Sequence, residues 1–333
     1  MKRIRCLRAA VMLLALTAVL AAARSGFTAS RIVENLYAAK LLDDKTGWVV
    51  GAFGAVFKTG DGGKTWEAQQ TPTLDYLFGV DFASATQGVA VGKSGVILTT
   101  DDGGKTWTKQ QSGTDRNLFS VVYATPTHLW VVGDWGAVVE SKDGGKTWSD
   151  RTLPDDVVLT SQSWPSETTG YIAGEFGTIE KTSDGGQTFT KVQTGTDKTI
   201  FGIAFTTPEQ GWAVGIDGLV MRTKDGGATW QTQRGKLEAQ SLEQLGFMEA
   251  LKNPGLYDIR FSGDYGYIVG DIGTILVSTD KGDTWQERKL PDEMSLFWLR
   301  GVSAASGNRA LVVGSSGLAV TVDKDQIRLP SNG

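Results

Sequence analysis

The sequence predicts an all-β protein, a seven-bladed β-propeller of four-stranded blades with one helix inserted between blades five and six. Three observations predict it. The stretch Asp61-Gly62-Gly63-Lys64-Thr65-Trp66 recurs as Asp102 to Trp107, Asp143 to Trp148, Asp184 to Phe189 and Asp225 to Trp230, its leading aspartates 41 residues apart each time. A weaker copy, Asp280 to Trp285, carries Lys281 in place of the first glycine. Ahead of each box lies a second signature, two glycines flanking two variable residues, at Gly51/Gly54, Gly92/Gly95, Gly133/Gly136, Gly174/Gly177, Gly215/Gly218, Gly270/Gly273 and Gly314/Gly317. Around these markers each unit holds four short β-rich runs, and four strands in a unit of this length make a propeller blade.

The chain opens with Lys2, Arg3, Arg5 and Arg8, then an apolar run from Ala9 to Ala23 ending Ala21-Ala22-Ala23. A basic region, an apolar region and a small-residue cleavage site read as a secretory signal peptide over 1–23, with an uncleaved anchor as the other reading. The protein is therefore expected to be exported, to the periplasm. The only cysteine, Cys6, lies inside this segment, so the mature chain from about Arg24 has no thiol or disulfide chemistry. Without the four basic residues, Lys+Arg fall from 33 to 29 against 37 Asp+Glu, a net charge of about −8 that disfavours general nucleic-acid binding.

Residues 24–333 read as one propeller domain, with blades at about 36–69, 77–110, 118–150, 158–191, 200–233, 256–288 and 297–329. Runs such as Leu77 to Phe82, Leu118 to Tyr123, Ile200 to Phe205 and Leu256 to Phe261 are β-rich and bounded by turn signals, hence strands. In the D-G-G-x-T-W box, the aspartate and two glycines suit a tight turn needing positive φ. The Thr and aromatic that follow suit a strand, and the ring pins the hairpin onto the core. Asp61/Trp66, Asp102/Trp107, Asp143/Trp148, Asp184/Phe189, Asp225/Trp230 and Asp280/Trp285 are thus read as structural locks.

The seventh unit lacks D-G-G and Trp, as a terminal repeat does. Either Gln326 to Leu329, the favoured choice, or residues from about Phe27 to Glu34 close the ring. Between Asp225 and Asp280 the rhythm breaks by 14 residues. Lys236 to Asn253 there is rich in helix formers, with Leu242, Leu245, Met248 and Leu251 every third residue and Asn253-Pro254-Gly255 as the stop. This inserted helix either packs on the rim or docks a partner.

Signals for catalysis are scarce. His128, the one histidine, stands beside a strand edge near Pro126 and reads as solvated. No His/Cys cluster suggests a transition metal, and the boxes lack the alternating carboxylates of a calcium loop. No cofactor motif is present either, because the glycine pairs are repeat turns.

The boxes resemble the Asp-box repeat of bacterial neuraminidases. A sialidase also needs a triad of arginines and an F-R-I-P segment, and Arg31-Ile32-Val33 does not match it. The closer resemblance covers nearly the whole mature chain. Seven units of strand, G-x-x-G and strand, six of them followed by an Asp box, after a signal peptide, with Gly47 to Gly51 and Gln210 to Gly215 as typical phrases, are similar to the photosystem II stability/assembly factor family. That resemblance implies a seven-bladed propeller acting as a non-enzymatic chaperone for a membrane complex subunit. The alternative is a secreted Asp-box glycosidase, and a structural envelope protein is a third class.

In a propeller the turn between the second and third strands shares a face with the connection entering each blade, and the boxes lie opposite. The variable pairs are Ala52-Phe53, Lys93-Ser94, Asp134-Trp135, Glu175-Phe176, Ile216-Asp217, Asp271-Ile272 and Ser315-Ser316. Seven variable positions on a fixed scaffold suit a binding face. Phe53, Trp135 and Phe176 are expected either to anchor a protein partner or to plug the central channel, with Asp134 and Glu175 beside them. Arg116 and Lys198 enter blades three and five, and Lys198, Arg260 and Arg300 either form a basic arc or stand as separate solvated charges. The expected partner is a protein, a membrane protein or complex subunit, with membrane contact only indirect or through an uncleaved anchor.

Overall fold

The computed structural model describes residues 31–233, 253–305, 308–324 and 326–329. The signal peptide and the inserted helix expected from the sequence lie outside the described residues. The described chain forms seven four-stranded antiparallel sheets, each built from strands consecutive in sequence. Blade one runs β1 (Leu36–Leu41), β2 (Gly47–Gly51), β3 (Val56–Thr59) and β4 (Glu67–Gln69), and blade seven ends on a strand at Gln326–Arg328. First strands touch first strands around the ring, including those of blades seven and one. This is the predicted seven-bladed propeller.

Second strands are the best buried, because each sits mid-blade with a neighbouring blade on both faces. Gly47-Trp48-Val49-Val50-Gly51 and its counterparts are buried at every residue. Blade contacts are strongly aromatic. Trp48 stacks on Phe82 of the next blade at 3.6 Å, and Phe82 meets the box indole Trp107 edge-on at 6.0 Å. The same trio recurs as Tyr171, Phe205 and Trp230. Offset and edge-to-face pairs of this kind add to simple area burial.

The boxes lock turns as expected. Asp61 accepts from the Thr59 hydroxyl (2.8 Å), the Thr65 N–H (2.9 Å) and the Thr65 hydroxyl (2.6 Å). These bonds repeat at Asp102, Asp143, Asp184, Asp225 and Asp280. The boxes also clasp blades together, which the sequence did not announce. Gly103 of blade two accepts from Trp48 and Lys58, Gly186 from Arg151, Gly226 from Lys181 and Tyr171, and Gly282 from Trp212.

Among the described residues no strand is shared between the two ends of the chain: the strand at Gln326–Arg328 closes its own blade. Instead the seam is sewn by side chains. Ser303 accepts from the Leu41 N–H (2.8 Å), Asn35 from the Ser316 N–H (2.9 Å), and Arg309 donates to the Asp44 and Gly62 carbonyls (3.0 and 2.7 Å). Residues just before β1 pass under the last G-x-x-G turn, where a Cβ on Gly317 would lie 2.1 Å from the Ile32 carbonyl oxygen.

Candidate binding face

Each G-x-x-G segment closes as a tight hairpin whose two central residues both have positive φ. In blade one the Ala55 N–H donates to the Ala52 carbonyl (3.1 Å) across Phe53 (φ 56) and Gly54 (φ 70). Positive φ at both centres is the type I′ turn that suits the strand twist. Gly54 is obligatory on two counts, since a Cβ there would also lie 2.1 Å from the Thr73 carbonyl oxygen. The residue before that glycine pays a conformational penalty of about 1–2 kcal/mol when it is neither Gly, Asn nor Asp. Yet that position holds Phe53, Trp135 and Phe176, with φ 56, 58 and 54.

These three rings are 63, 62 and 70% exposed. Phe53 touches Tyr76 edge-on at 5.4 Å, and none of the three lines the central cavity. Among the described residues they are the aromatic members of a small set of exposed large hydrophobics, joined by Val33, Leu74, Ile216 and Leu296. All seven sit in G-x-x-G turns or in segments entering a blade, and therefore on one face. The remaining member, Leu329, follows the last strand of blade seven.

The channel mouth on that face is ringed by other residues. In every blade the pairing of the first and second strands slips by one residue near its start. The slipped residues are Tyr37, Phe78, Phe119, Thr160, Phe201, Tyr257 and Arg300, since a bulge re-aims the extra side chain. Tyr37 packs on Phe78 and stacks on Trp298, Phe78 meets Phe119, and Phe201 meets Tyr257. Sequence reasoning missed this collar. Its signal was available: a buried Leu or Ile followed by an aromatic, five times in seven units.

The charged candidates behave individually. Asp134 accepts from the Asn117 amide (2.7 Å), and Glu175 from the Val158 N–H (3.1 Å). Arg116 donates to the Trp135 carbonyl (2.7 Å). The basic arc does not form. Lys198 pairs with Asp217 (3.3 Å) and Arg300 lies over the Tyr257 ring (3.6 Å). Arg260 belongs elsewhere: four residues into its strand, it lines the channel and pairs with Asp258 (2.8 Å). Burial pushes the Asp258 carboxyl up, against the pull of Arg260.

The channel widens to a cavity of about 580 Å³ bordered by the first strands of all seven blades. Asp81 lines it, held by Lys40 (2.6 Å) and by the Tyr123 N–H of the next blade (2.8 Å). Asp258 likewise accepts from the Val302 N–H of its neighbour (3.0 Å). These carboxylates are inter-blade bridges with their oxygens already occupied. The box aspartates are equally committed: the Thr106 N–H and hydroxyl hold Asp102 down to about 2, and the Thr147 hydroxyl and N–H do the same for Asp143. Carboxylates so easily ionised are poor general acids near neutrality. His128, expected to be solvated, is half-buried and bonded to Glu140 at 2.8 Å.

The sequence matches the family model described as photosynthesis system II assembly factor YCF48 over residues 28–114, 109–196 and 190–294. Curated proteins give no sequence match. A solved structure of YCF48 bound to a D1 peptide is 18% identical, covering 90% of this chain and 93% of that one with a TM-score of 0.67. YCF48 from Cyanidioschyzon merolae is 20% identical, covering 90% and 97%, again with a TM-score of 0.67. An ancestral GH74 enzyme is 12% identical with a TM-score of 0.63, but the match covers 89% of this chain and only 46% of that one. At these identities the structural likeness concerns the fold.

Proposed function

The chain belongs to the photosystem II assembly factor YCF48 family, and from that premise we propose that it is an exported, non-enzymatic scaffold that binds a segment of a membrane-complex subunit during assembly. The observation that carries this reading is the placement of Phe53, Trp135 and Phe176. Each ring is exposed, which forgoes burial, and each occupies a left-handed backbone position, which costs conformational energy. A fold gains nothing from three such choices on one face, whereas a partner surface gains rigid aromatic anchors. The D1 peptide held by a family member of the same fold supports a peptide segment as the bound chemistry.

The GH74 likeness, at 12% identity, concerns the fold, and the carboxylates Asp81 and Asp258 each bridge two blades. The N-terminal apolar run supports export, in the periplasm or a thylakoid lumen according to the source.

The test is photo-crosslinking in the cell envelope from position 53 or 176, compared with Lys146 on the Asp-box face. Adducts with a membrane protein from the first two positions are expected. Adducts from Lys146 alone would reject the face.

A further inference from the structure

The turns and connections of blades three to five form one continuous sector. Asn117 bonds Asp134, the Gly136 N–H donates to Val157, the Glu175 N–H to Val158, and the Gly177 N–H to Lys198, which pairs with Asp217. Trp135, Phe176 and Ile216 are the exposed apolar side chains along it. Between them the surface is acidic. Asp115, Asp156 and Asp197 are exposed and carry no ion pair among the described residues. The cations of the sector are already engaged: Arg116 by the Trp135 carbonyl, Lys191 by Asp155 (3.3 Å), and Lys198 by Asp217.

We propose that this sector takes an extended, basic segment of the partner, with apolar side chains packing on Trp135 and Phe176 and Lys or Arg side chains meeting Asp115, Asp156 and Asp197. The inference rests on the scaffold reading above and specifies the chemistry of its ligand. Charge complementarity selects the occupant. Desolvated aromatics provide the anchor, and rim carboxylates steer and discriminate by sign. An acidic segment or an anionic bilayer would meet like charge at Asp115, Asp156 and Asp197. A polar, uncharged segment would gain neither the ionic attraction nor the apolar packing.

The proposal makes the surface selective by sign, and fluorescence anisotropy tests it on the full chain. Two labelled peptides of equal length share alternating Leu and Tyr; one carries Lys and Arg between them, the other Glu. The basic peptide should bind and the acidic one should not, with affinity for the former falling as salt rises through screening. The double variant Trp135→Ser/Phe176→Ser should weaken it about 30-fold, and Asp115→Asn/Asp156→Asn roughly threefold to tenfold. Circular dichroism melts report whether each variant folds; all four side chains are exposed, so unchanged melts are expected. Equal binding of the two peptides, or folded variants that bind the basic peptide as wild type does, would overturn the proposal. Envelope crosslinks from position 53 that persist alongside those results would leave the scaffold reading standing and reject this sector alone.

Discussion

Arg309, in the second strand of blade seven, donates a hydrogen bond to the Gly62 carbonyl in the Asp box of blade one at 2.7 Å. This is the ring's only seam without a peptide connection, and the contact reproduces the clasp that Lys181 makes to Gly226 between blades four and five at 2.9 Å. The two differ in redundancy. Gly226 keeps a second donor in the Tyr171 hydroxyl (3.1 Å), whereas Gly62 and Asp44 share Arg309. Arg309→Ala should therefore destabilise the fold by about 1–2 kcal/mol and Lys181→Ala by less than half as much. Urea melts of the two variants check the ordering, and equal losses would mean that the Tyr171 hydroxyl does not substitute for Lys181 at Gly226.

The box indoles are not equivalent. Trp107 is 6% exposed and meets Phe82 edge-on, while Trp148 is half-buried and donates to the Gly145 carbonyl at 2.9 Å. Trp107→Ala should cost about 3–5 kcal/mol, since it opens a cavity between blades one and two. Trp148→Ala should cost about 1–2 kcal/mol. Chemical denaturation of both variants separates a lock that fills the core from one that covers its edge.

Most of the fold was legible because its determinants are local. An aspartate and two glycines fix their own hairpin, and counting hairpins counts blades. The candidate face was legible for a related reason, since Trp135 and Phe176 stand inside a turn whose direction the repeat sets. What stayed hidden depends on pairing between distant residues. The collar of Tyr37, Phe78 and Tyr257 exists because the first strand slips against the second, a register property. Arg260 and Arg300 look alike in sequence, but one lies four residues beyond the buried start of its strand and the other one residue beyond. That difference in height takes Arg260 down the channel and leaves Arg300 at the mouth.

The Asp boxes make the fold acid-sensitive in a defined window. Asp102, Asp143, Asp184 and Asp225 are each lowered to about 2 from an ordinary value of 3.8, in the first case chiefly by the Thr106 N–H and in the others chiefly by the threonine hydroxyl. A group whose folded value is depressed contributes stability above its unfolded value and loses it as pH falls through the folded one. Stability should therefore be level on this account above about pH 5 and decline between about pH 4 and 2. Circular dichroism melts at half-unit steps measure it. A flat profile down to pH 2 would show that the hairpins hold without ionised aspartates.

Phe176 links backbone strain to binding most directly. It occupies the first centre of a type I′ turn at φ 54, where Asn is favoured, and its ring is mostly in solvent. Phe176→Asn should therefore raise stability by about 0.5–1 kcal/mol, because the backbone strain is relieved and little packing is lost. The same change should weaken partner capture, because the anchor ring is gone. Opposite signs in the two measurements, a thermal melt and a pull-down from solubilised membranes, are the expected outcome. A fall in melting temperature would instead place Phe176 in service of the fold, and the argument from strain to function would fail at that blade.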